Sequence, residues 1–432
     1  MNKTVGIYTL GCKVNQYESE AIGEALAARG FTLCSADEPC DVYIINTCTV
    51  TAESDRKARQ FIRRAHAHNP AARVLVTGCL AQTDAGSIRA IEGVDFVCGN
   101  RNKMDIVEAA IRLCEQDKPT VPTLCVPTLD GAGFEPMSIR TFGRTRAYIK
   151  IEDGCENRCT YCIIPSARGH VRSKPLDEVV REVRTLTENG CREVVLTGIE
   201  TASWGRDLGD ASLADLLEAV DHIEGIGRVR LGSLDPSLMR PAFVERIAAL
   251  RSLTPHFHLS MQSGSDAVLA RMKRKYNRTQ ALAAIERLRA AIPNAQFTTD
   301  IIVGFPGETE EDFEQTMALA REARFLMIHV FPYSRRAGTP AADMPDQLTR
   351  EVKSHRVATL SALAADIRAE LLRALIGKER EVLFETYEGG FATGHTPDFI
   401  EVRVPSPVDL HGTTHTVTLI AADGNGCVGR LS

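Results

Sequence analysis

Ala147-Tyr148-Ile149-Lys150-Ile151-Glu152-Asp153-Gly154-Cys155-Glu156-Asn157-Arg158-Cys159-Thr160-Tyr161-Cys162 joins a short strand-like run directly to three cysteines in CxxxCxxC spacing. Three thiolates this close can hold one iron-sulfur cluster and leave one iron without a protein ligand. That open iron can bind and activate a small molecule. A structural zinc site pairs two CxxC units, and no second pair follows here; zinc is the alternative reading. From Arg146 onward, strand and helix signals alternate. Residues 147–151, 193–197, 229–231, 256–260, 297–303 and 327–331 read as strands, with helices between them. Six such units predict a barrel or partial barrel with its active site at the carboxyl ends of the strands. Thr309-Glu310-Glu311-Asp312 has the form of a capping box opening one of the helices.

Upstream, residues 1–120 alternate in the same way. Apolar runs at 5–10, 41–46 and 73–77 are of the buried parallel type, and 16–29, 52–67 and 103–115 have helical periodicity. This predicts an α/β domain with a doubly wound parallel sheet. Cys12, Cys48 and Cys79 each fall just past one of these strands. The carboxyl ends of strands in such a sheet converge on one crevice. Three cysteines there could ligate a second cluster, again with one iron open. The other seven (Cys34, Cys40, Cys98, Cys114, Cys125, Cys191 and Cys427) lack comparable spacing and read as buried or incidental thiols. Residues 121–143 read as a linker, 144–372 as the central domain ending in a long helix at about 347–375, and 373–432 as a small β-barrel. In that last segment, strands are expected at 381–385, 399–404 and 416–420. Gly424–Gly429 matches GxGxxG by letter only, since no helix follows it.

With 432 residues, two to four domains are expected. Thirteen cysteines without a signal peptide suggest metal sites or free thiols in a reducing cytoplasm rather than disulfides. No apolar run approaches the ~20 residues of a membrane span. The net charge of -5 gives no global sign of nucleic acid, so any contact must be local. Arg271, Lys273, Arg274, Lys275 and Arg278 form the densest basic run, with Arg350, Lys353, Arg356, Arg368 and Arg373 on the long helix as further candidates. Residues 375–432 carry four basic side chains against eight acidic ones. Such a barrel would read bases by stacking, through Phe391, His395 or Phe399, or else support the central domain.

Both cysteine sets stand in longer motifs: TLGCKVNQYESE at 9–20, INTCTVT at 45–51, VTGCLAQ at 76–82 and KIEDGCENRCTYCIIPSARG at 150–169. HLSMQSGSDAVLARMKRKY at 258–276, TDIIVGFPGETEEDF at 299–313 and FPYSRRAGTPAADMPDQ at 331–347 complete the pattern. Over nearly its whole length the chain resembles the methylthiotransferases of the radical S-adenosylmethionine (SAM) superfamily. The last segment resembles the RNA-associated TRAM barrel. GCKVN at residues 11–15, and Gly394 to Val402, resemble the branch acting on N6-threonylcarbamoyladenosine at tRNA position 37. The other branches act on isopentenylated adenosine or on an aspartate of a ribosomal protein. A non-catalytic iron-sulfur RNA-binding protein is the alternative of another class.

The resemblance implies two [4Fe-4S] clusters. One, on Cys155, Cys159 and Cys162, would cleave SAM to a 5′-deoxyadenosyl radical. The other, on Cys12, Cys48 and Cys79, would present sulfur for transfer to C2 of the adenine. It also implies SAM contacts from Tyr161, Gly198, Glu200, Ser260, Gln262, Asp300, Gly304 and Glu308. The implied partners are the tRNA anticodon loop, an electron donor and a sulfur source, with no membrane.

Overall fold

Runs of β-branched and other apolar residues without alternation build the first sheet, because both of its faces are covered. The computed structural model describes residues 3–143 and 145–432; Met1, Asn2 and Arg144, the expected start of the central domain, lie outside the described residues. Strands β1 (Lys3–Thr9), β2 (Phe31–Cys34), β3 (Val42–Thr47), β4 (Arg73–Gly78), β5 (Val94–Cys98) and β6 (Thr123–Cys125) run in the order β2-β1-β3-β4-β5-β6. Every pairing is parallel. Val42, Ile44 and Leu75 pack on one side with Ile22 and Leu26 of the helix Lys13–Ala28. Tyr43, Ile45, Val74 and Val76 pack on the other with Phe61 and Ile62 of the helix Ala52–His68. The sheet is doubly wound, as expected, and its order reverses between β1 and β3. The expected linker contributes a sixth strand, with Cys125 beside Cys98.

The second layer is the open barrel. It comprises β7 (Arg146–Lys150), the ribbon of β8 (Glu152–Asp153) and β9 (Arg172–Ser173), then β10 (Glu193–Thr197) and β11 (Arg228–Leu231). β12 (Ser233–Leu234), β13 (His256–Leu259), β14 (Gln296–Val303) and β15 (Met327–Pro332) follow. Parallel β7, β10 and β11 form one sheet and β12 to β15 another. β11 and β12 are one strand interrupted at Gly232, so the two sheets act as a six-stranded partial barrel. Phe257, Leu259, Phe297 and Ile301 face the surrounding helices. The long helix Arg350–Arg373 is capped by the Thr349 side chain and lies against β15.

β16 (Glu379–Glu388), β17 (Phe391–His395), β18 (Glu401–Pro405), β19 (Thr414–Ala422) and β20 (Cys427–Leu431) close a small barrel. β17 and β20 were not expected, because each contains a glycine that reads as a strand breaker. In a tight barrel the glycine is what allows closure. A Cβ on Gly394 would lie 2.1 Å from the Leu383 carbonyl oxygen, and one on Gly429 would lie 2.2 Å from Val417. β18 starts two residues later than expected because Phe399 has a left-handed φ of 70°.

That conformation turns Phe399 onto the central domain. Its ring stacks on His256 at 4.6 Å and His395 at 4.8 Å, with the Arg230 guanidinium 4.8 Å above it. Arg228 bonds Glu381 at 2.8 Å, and Arg146 bonds Glu385. Phe399 and His395 are therefore interface residues, not free base-stacking platforms. The acidic excess of the barrel neutralises arginines at the start of β7 and β11. No helix among the described residues is long and apolar enough to cross a membrane. Gly394→Ala should lower stability by about 3 kcal/mol, near the top of the usual range for point changes. Urea unfolding of the full chain tests this, and a cost under about 0.5 kcal/mol would refute the close-approach argument.

Candidate active site

Cys12 follows β1, Cys48 follows β3, and Cys79 follows β4 as the first residue of a short helix. The switch point of the sheet thus carries two of the three, and the third is one strand away. Two glycines make this approach possible. A Cβ on Gly11 (φ 100°) would lie 2.9 Å from Cys48 Sγ, and one on Gly78 (φ 97°) would lie 2.3 Å from the Thr47 carbonyl oxygen. Cys155, Cys159 and Cys162 sit on the loop after β8, at the mouth of the barrel. Gly154 (φ 91°) opens that loop, and a Cβ there would meet the His170 carbonyl oxygen at 1.9 Å.

Donors are aimed at the sulfurs. The Val50 amide reaches Cys48 Sγ at 3.5 Å, the Asn157 amide reaches Cys155 Sγ at 3.4 Å, Arg168 Nε reaches Cys79 Sγ at 3.3 Å, and Arg274 Nη1 reaches Cys159 Sγ at 3.3 Å. The amides of Asn15 and Ile164 favour the thiolates of Cys12 and Cys162. Other cysteines behave as neutral thiols: Cys40, Cys98 and Cys191 donate to backbone carbonyls. Burial pushes Cys48, Cys155 and Cys162 up to about 12, so a bound cation is what would make them thiolates. Sulfurs on one tetrahedral zinc lie about 3.8 Å apart. Among the described residues, ligand atoms within 4.8 Å of one another are brought together only by His258, Asp300 and His329, not by either cysteine set. The N–H donors aimed at the sulfurs suit an anionic cluster at each triad.

A buried ionic network runs from Cys79 of one triad to Asp153, two residues before Cys155 of the other. Arg168, fully buried, also bonds Glu18 Oε1 at 2.6 Å, Asn15 Oδ1 at 2.5 Å and Asp153 Oδ2 at 3.2 Å. Lys150 bonds Glu18 and Asp153 at 2.8 Å each, Lys103 bonds Glu18, and Arg172 lies 3.3 Å from Asp153. Four cations thus face two carboxylates. The surplus positive charge suits an anionic thiolate cluster at Cys79. Burial opposes ionisation of Glu18 and Asp153, but Arg168 and its lysine neighbours hold both carboxyls well below the usual range.

A cavity of about 230 Å³ lies between Cys162 and the Val50-Thr51 turn beside Cys48. Tyr161, Gln262, Asp300, Ile302, Phe331 and Tyr333 also line it. Gln262 (φ 61°) is held there by its backbone bridge to β14. Glu200 lies on the other side of the loop, where it accepts from Asn157 and comes 4.0 Å from Cys155 Sγ. It lines a second cavity of about 360 Å³ with Asp235, Arg206 and Lys275. Gly198 leaves room for Glu152, which would meet a Cβ at 2.5 Å. The Ser260 carbonyl accepts from Arg274 and from the Tyr276 hydroxyl. Glu308 takes the amides of Gly304 and Phe305 and sits 3.5 Å from Arg356, so its carboxylate is occupied in shaping that loop.

The basic run divides. Arg274 is buried on Asp235 and Cys159, Arg271 pairs with Asp312, and Arg278 pairs with Glu322; Lys273 and Lys275 remain exposed. Arg356 of the long helix is likewise buried on Glu308 and Glu310. A phosphate track through Arg274 and Arg356 is therefore ruled out. The CxxxCxxC loop could be found from spacing; the role of Arg274 could not, because its neighbours in sequence are solvated.

A partial parallel barrel with an open three-cysteine loop at its mouth, faced by a second triad, defines a radical SAM enzyme with an auxiliary cluster site. A family model described as the radical SAM superfamily matches residues 149–320, and one described as Uncharacterized protein family UPF0004 matches residues 4–99. The threonylcarbamoyladenosine tRNA methylthiotransferase MtaB of Bacillus subtilis (strain 168) is 39% identical, over 97% of this chain and 94% of that protein. The tRNA-2-methylthio-N(6)-dimethylallyladenosine synthase of Acidothermus cellulolyticus is also 39% identical, over 90% of this chain and 78% of that protein. The solved structure of the radical SAM methyltransferase TsrM from Kitasatospora setae, with cobalamin and a [4Fe-4S] cluster bound, shares the fold. Its TM-score is 0.57 at 17% identity, over 91% of this chain and 81% of that one. The chain belongs to the radical SAM methylthiotransferase family.

Arg168→Gln should cost about 3–5 kcal/mol, because it removes a buried charge hydrogen-bonded at once to Glu18, Asp153 and Asn15. The depressed carboxyls of Glu18 and Asp153 stabilise the fold above about pH 4 and lose that contribution as pH falls below it. Without Arg168 both carboxyls rise, so acid unfolding should begin at higher pH than in the unaltered protein. Circular dichroism against pH measures the onset, and an unchanged onset would refute the network's role.

Proposed function

We propose that this chain transfers a methylthio group to C2 of N6-threonylcarbamoyladenosine at position 37 of tRNA. The observation that carries the reading is that both cysteine triads have N–H donors aimed at sulfur, and that Cys162 of one and the turn after Cys48 of the other wall one cavity. The match to relatives of this activity over nearly the full chain supports it. When both clusters are bound, the chemistry available is reductive cleavage of SAM at one and delivery of methylated sulfur at the other.

The chain's own residues position and shield. Ile302, Phe331, Tyr333 and the Tyr161 ring give the cavity an apolar wall that keeps water from a radical. Arg274 fixes the Cys159 side of the loop against Asp235 and the Ser260 carbonyl. Asn157 and Glu200 fix the Cys155 side. Glu200 and Gly198 are read as neighbours of the SAM amino group, Tyr161 as a neighbour of its adenine, and Ser260 and Gln262 as neighbours of its ribose or carboxylate. Gly304 and Glu308 are read as support for the loop after β14. The tRNA partner engages through its anticodon loop, which carries position 37, and a tRNA substrate implies a cytoplasmic enzyme. Reductive cleavage consumes electrons and each product carries one new sulfur, so an electron donor and a sulfur source are required.

Anaerobically reconstituted protein, given SAM, reductant and threonylcarbamoylated tRNA, should yield the 2-methylthio nucleoside by mass spectrometry. Cys155→Ala should abolish both product and 5′-deoxyadenosine. Cys12→Ala should abolish the product while 5′-deoxyadenosine still forms. Conversion of dimethylallyladenosine tRNA in place of the threonylcarbamoyl form would overturn the substrate assignment.

A further inference from the structure

The lumen of the partial barrel is polar. β13, β14 and β15 turn apolar residues to the helices, which leaves His256, His258, Asp300 and His329 on the opposite face. His258 Nε2 lies 3.4 Å from Asp300 Oδ2, and the rings of His258 and His329 are 6.0 Å apart. Asp300 also belongs to the wall of the cavity beside Cys162, so the polar cluster borders that cavity.

Donors in this lumen lack acceptors among the described residues. Arg230 is only 3% exposed; its Nε bonds Glu193 at 2.9 Å, while Nη1 and Nη2 have no hydrogen-bond partner. His256 Nδ1, donor or acceptor according to the ring's tautomer, likewise has no hydrogen-bond partner. Lys13, the residue after Cys12, is exposed and takes part in no hydrogen bond or ion pair described for the chain. Its charge acts on Asp300, His256 and His329, so its ammonium lies within electrostatic reach of these groups. Buried donors without acceptors are costly unless a ligand supplies them. His258, Asp300 and His329 have the spacing of a single-ion site. The neighbouring Lys13 and Arg230 charges oppose a further cation there and favour an anion.

A dimethylallyl substituent offers no acceptor to these donors. A threonylcarbamoyl substituent offers a carboxylate, a hydroxyl and a carbamoyl oxygen. We propose that the lumen is the recognition pocket for the N6 substituent of the target adenosine, with Lys13 pairing its carboxylate. This rests on the threonylcarbamoyl reading above. The adenine would lie at the mouth of the lumen, and its substituent would point past Asp300 toward His256 and Arg230. Discrimination against the apolar substituent then follows mainly from leaving these donors unpaired.

The test uses anticodon stem-loop RNAs bearing the free threonylcarbamoyl acid, its methyl ester, or dimethylallyladenosine. Binding to the reconstituted full chain and kcat/KM for the methylthio product are measured for each. The unaltered protein should prefer acid over ester by on the order of 10- to 100-fold, as expected for a charged hydrogen bond. Lys13→Gln should lose that factor on the acid and little on the ester, and Lys13→Arg should restore the preference. Equal handling of acid and ester by the unaltered protein would overturn the pocket whatever the variants do, while leaving the proposed function standing. Equal losses on both RNAs in Lys13→Gln would overturn it too, because Lys13 would then act only through its neighbour Cys12. Conversion of the dimethylallyl RNA alone would overturn the proposed function, and the pocket with it.

Discussion

The buried guanidinium of Arg168 is the interaction on which the arrangement of the two domains depends. It belongs to the segment that follows the barrel's cysteine loop, yet every one of its nitrogens reaches the N-terminal sheet domain. Nε touches Cys79, Nη1 and Nη2 share Glu18, and Nη2 also bonds Asn15. A guanidinium presents several donors in one plane, so it can hold a carboxylate and a sulfur in fixed relation, which a lysine cannot do. The carboxylate partners satisfy most of the charge, and the sulfur takes the rest. A hydrogen bond to a cluster sulfur also bears on reduction potential. The residue that joins the domains therefore also touches a sulfur of the N-terminal triad.

The helix Lys13–Ala28 supplies the N-terminal half of this junction. Cys12 stands at its N-cap, Asn15 and Glu18 meet Arg168, and Tyr17 bonds Glu182 at 3.0 Å and the Met137 carbonyl at 2.7 Å. A second contact closes the other side of the crevice. Arg336, beyond β15, bonds Thr49 and Asp55 at 2.6 and 2.7 Å, just past Cys48. The crevice of a doubly wound sheet and the mouth of a partial barrel are both places where strands end in loops. Clamping the two together leaves a cavity between Cys162 and the turn that follows Cys48.

Much of this was legible because it is local. CxxxCxxC is a spacing, and the Cys12, Cys48 and Cys79 triad follows from three strand ends. The helix Lys13–Ala28 was expected to start three residues late, because its first turn is polar, facing the junction and not a core. The strands β17 and β20 were missed because their glycines serve barrel closure, a contact between residues distant in sequence. Phe399 read as a base-stacking surface aromatic; only the fold shows it held at the domain interface by His256 and Arg230. Arg274 and Arg356 read as phosphate contacts because sequence displays charge but not the carboxylates that neutralise it.

The same reasoning bears on how one fold could serve different modified adenosines. The cavity nearest the cysteines is walled largely by apolar and aromatic side chains, which suits an adenine ring and any radical formed beside it. Such a wall is indifferent to the N6 substituent. Discrimination must then arise further from the reacting carbon, where side-chain polarity can vary without disturbing either triad. The lumen histidines and Asp300 meet that condition, being carried on barrel strands; Lys13, next to Cys12, is the exception. Separation of this kind lets substrate choice change while the metal sites and their donors stay fixed.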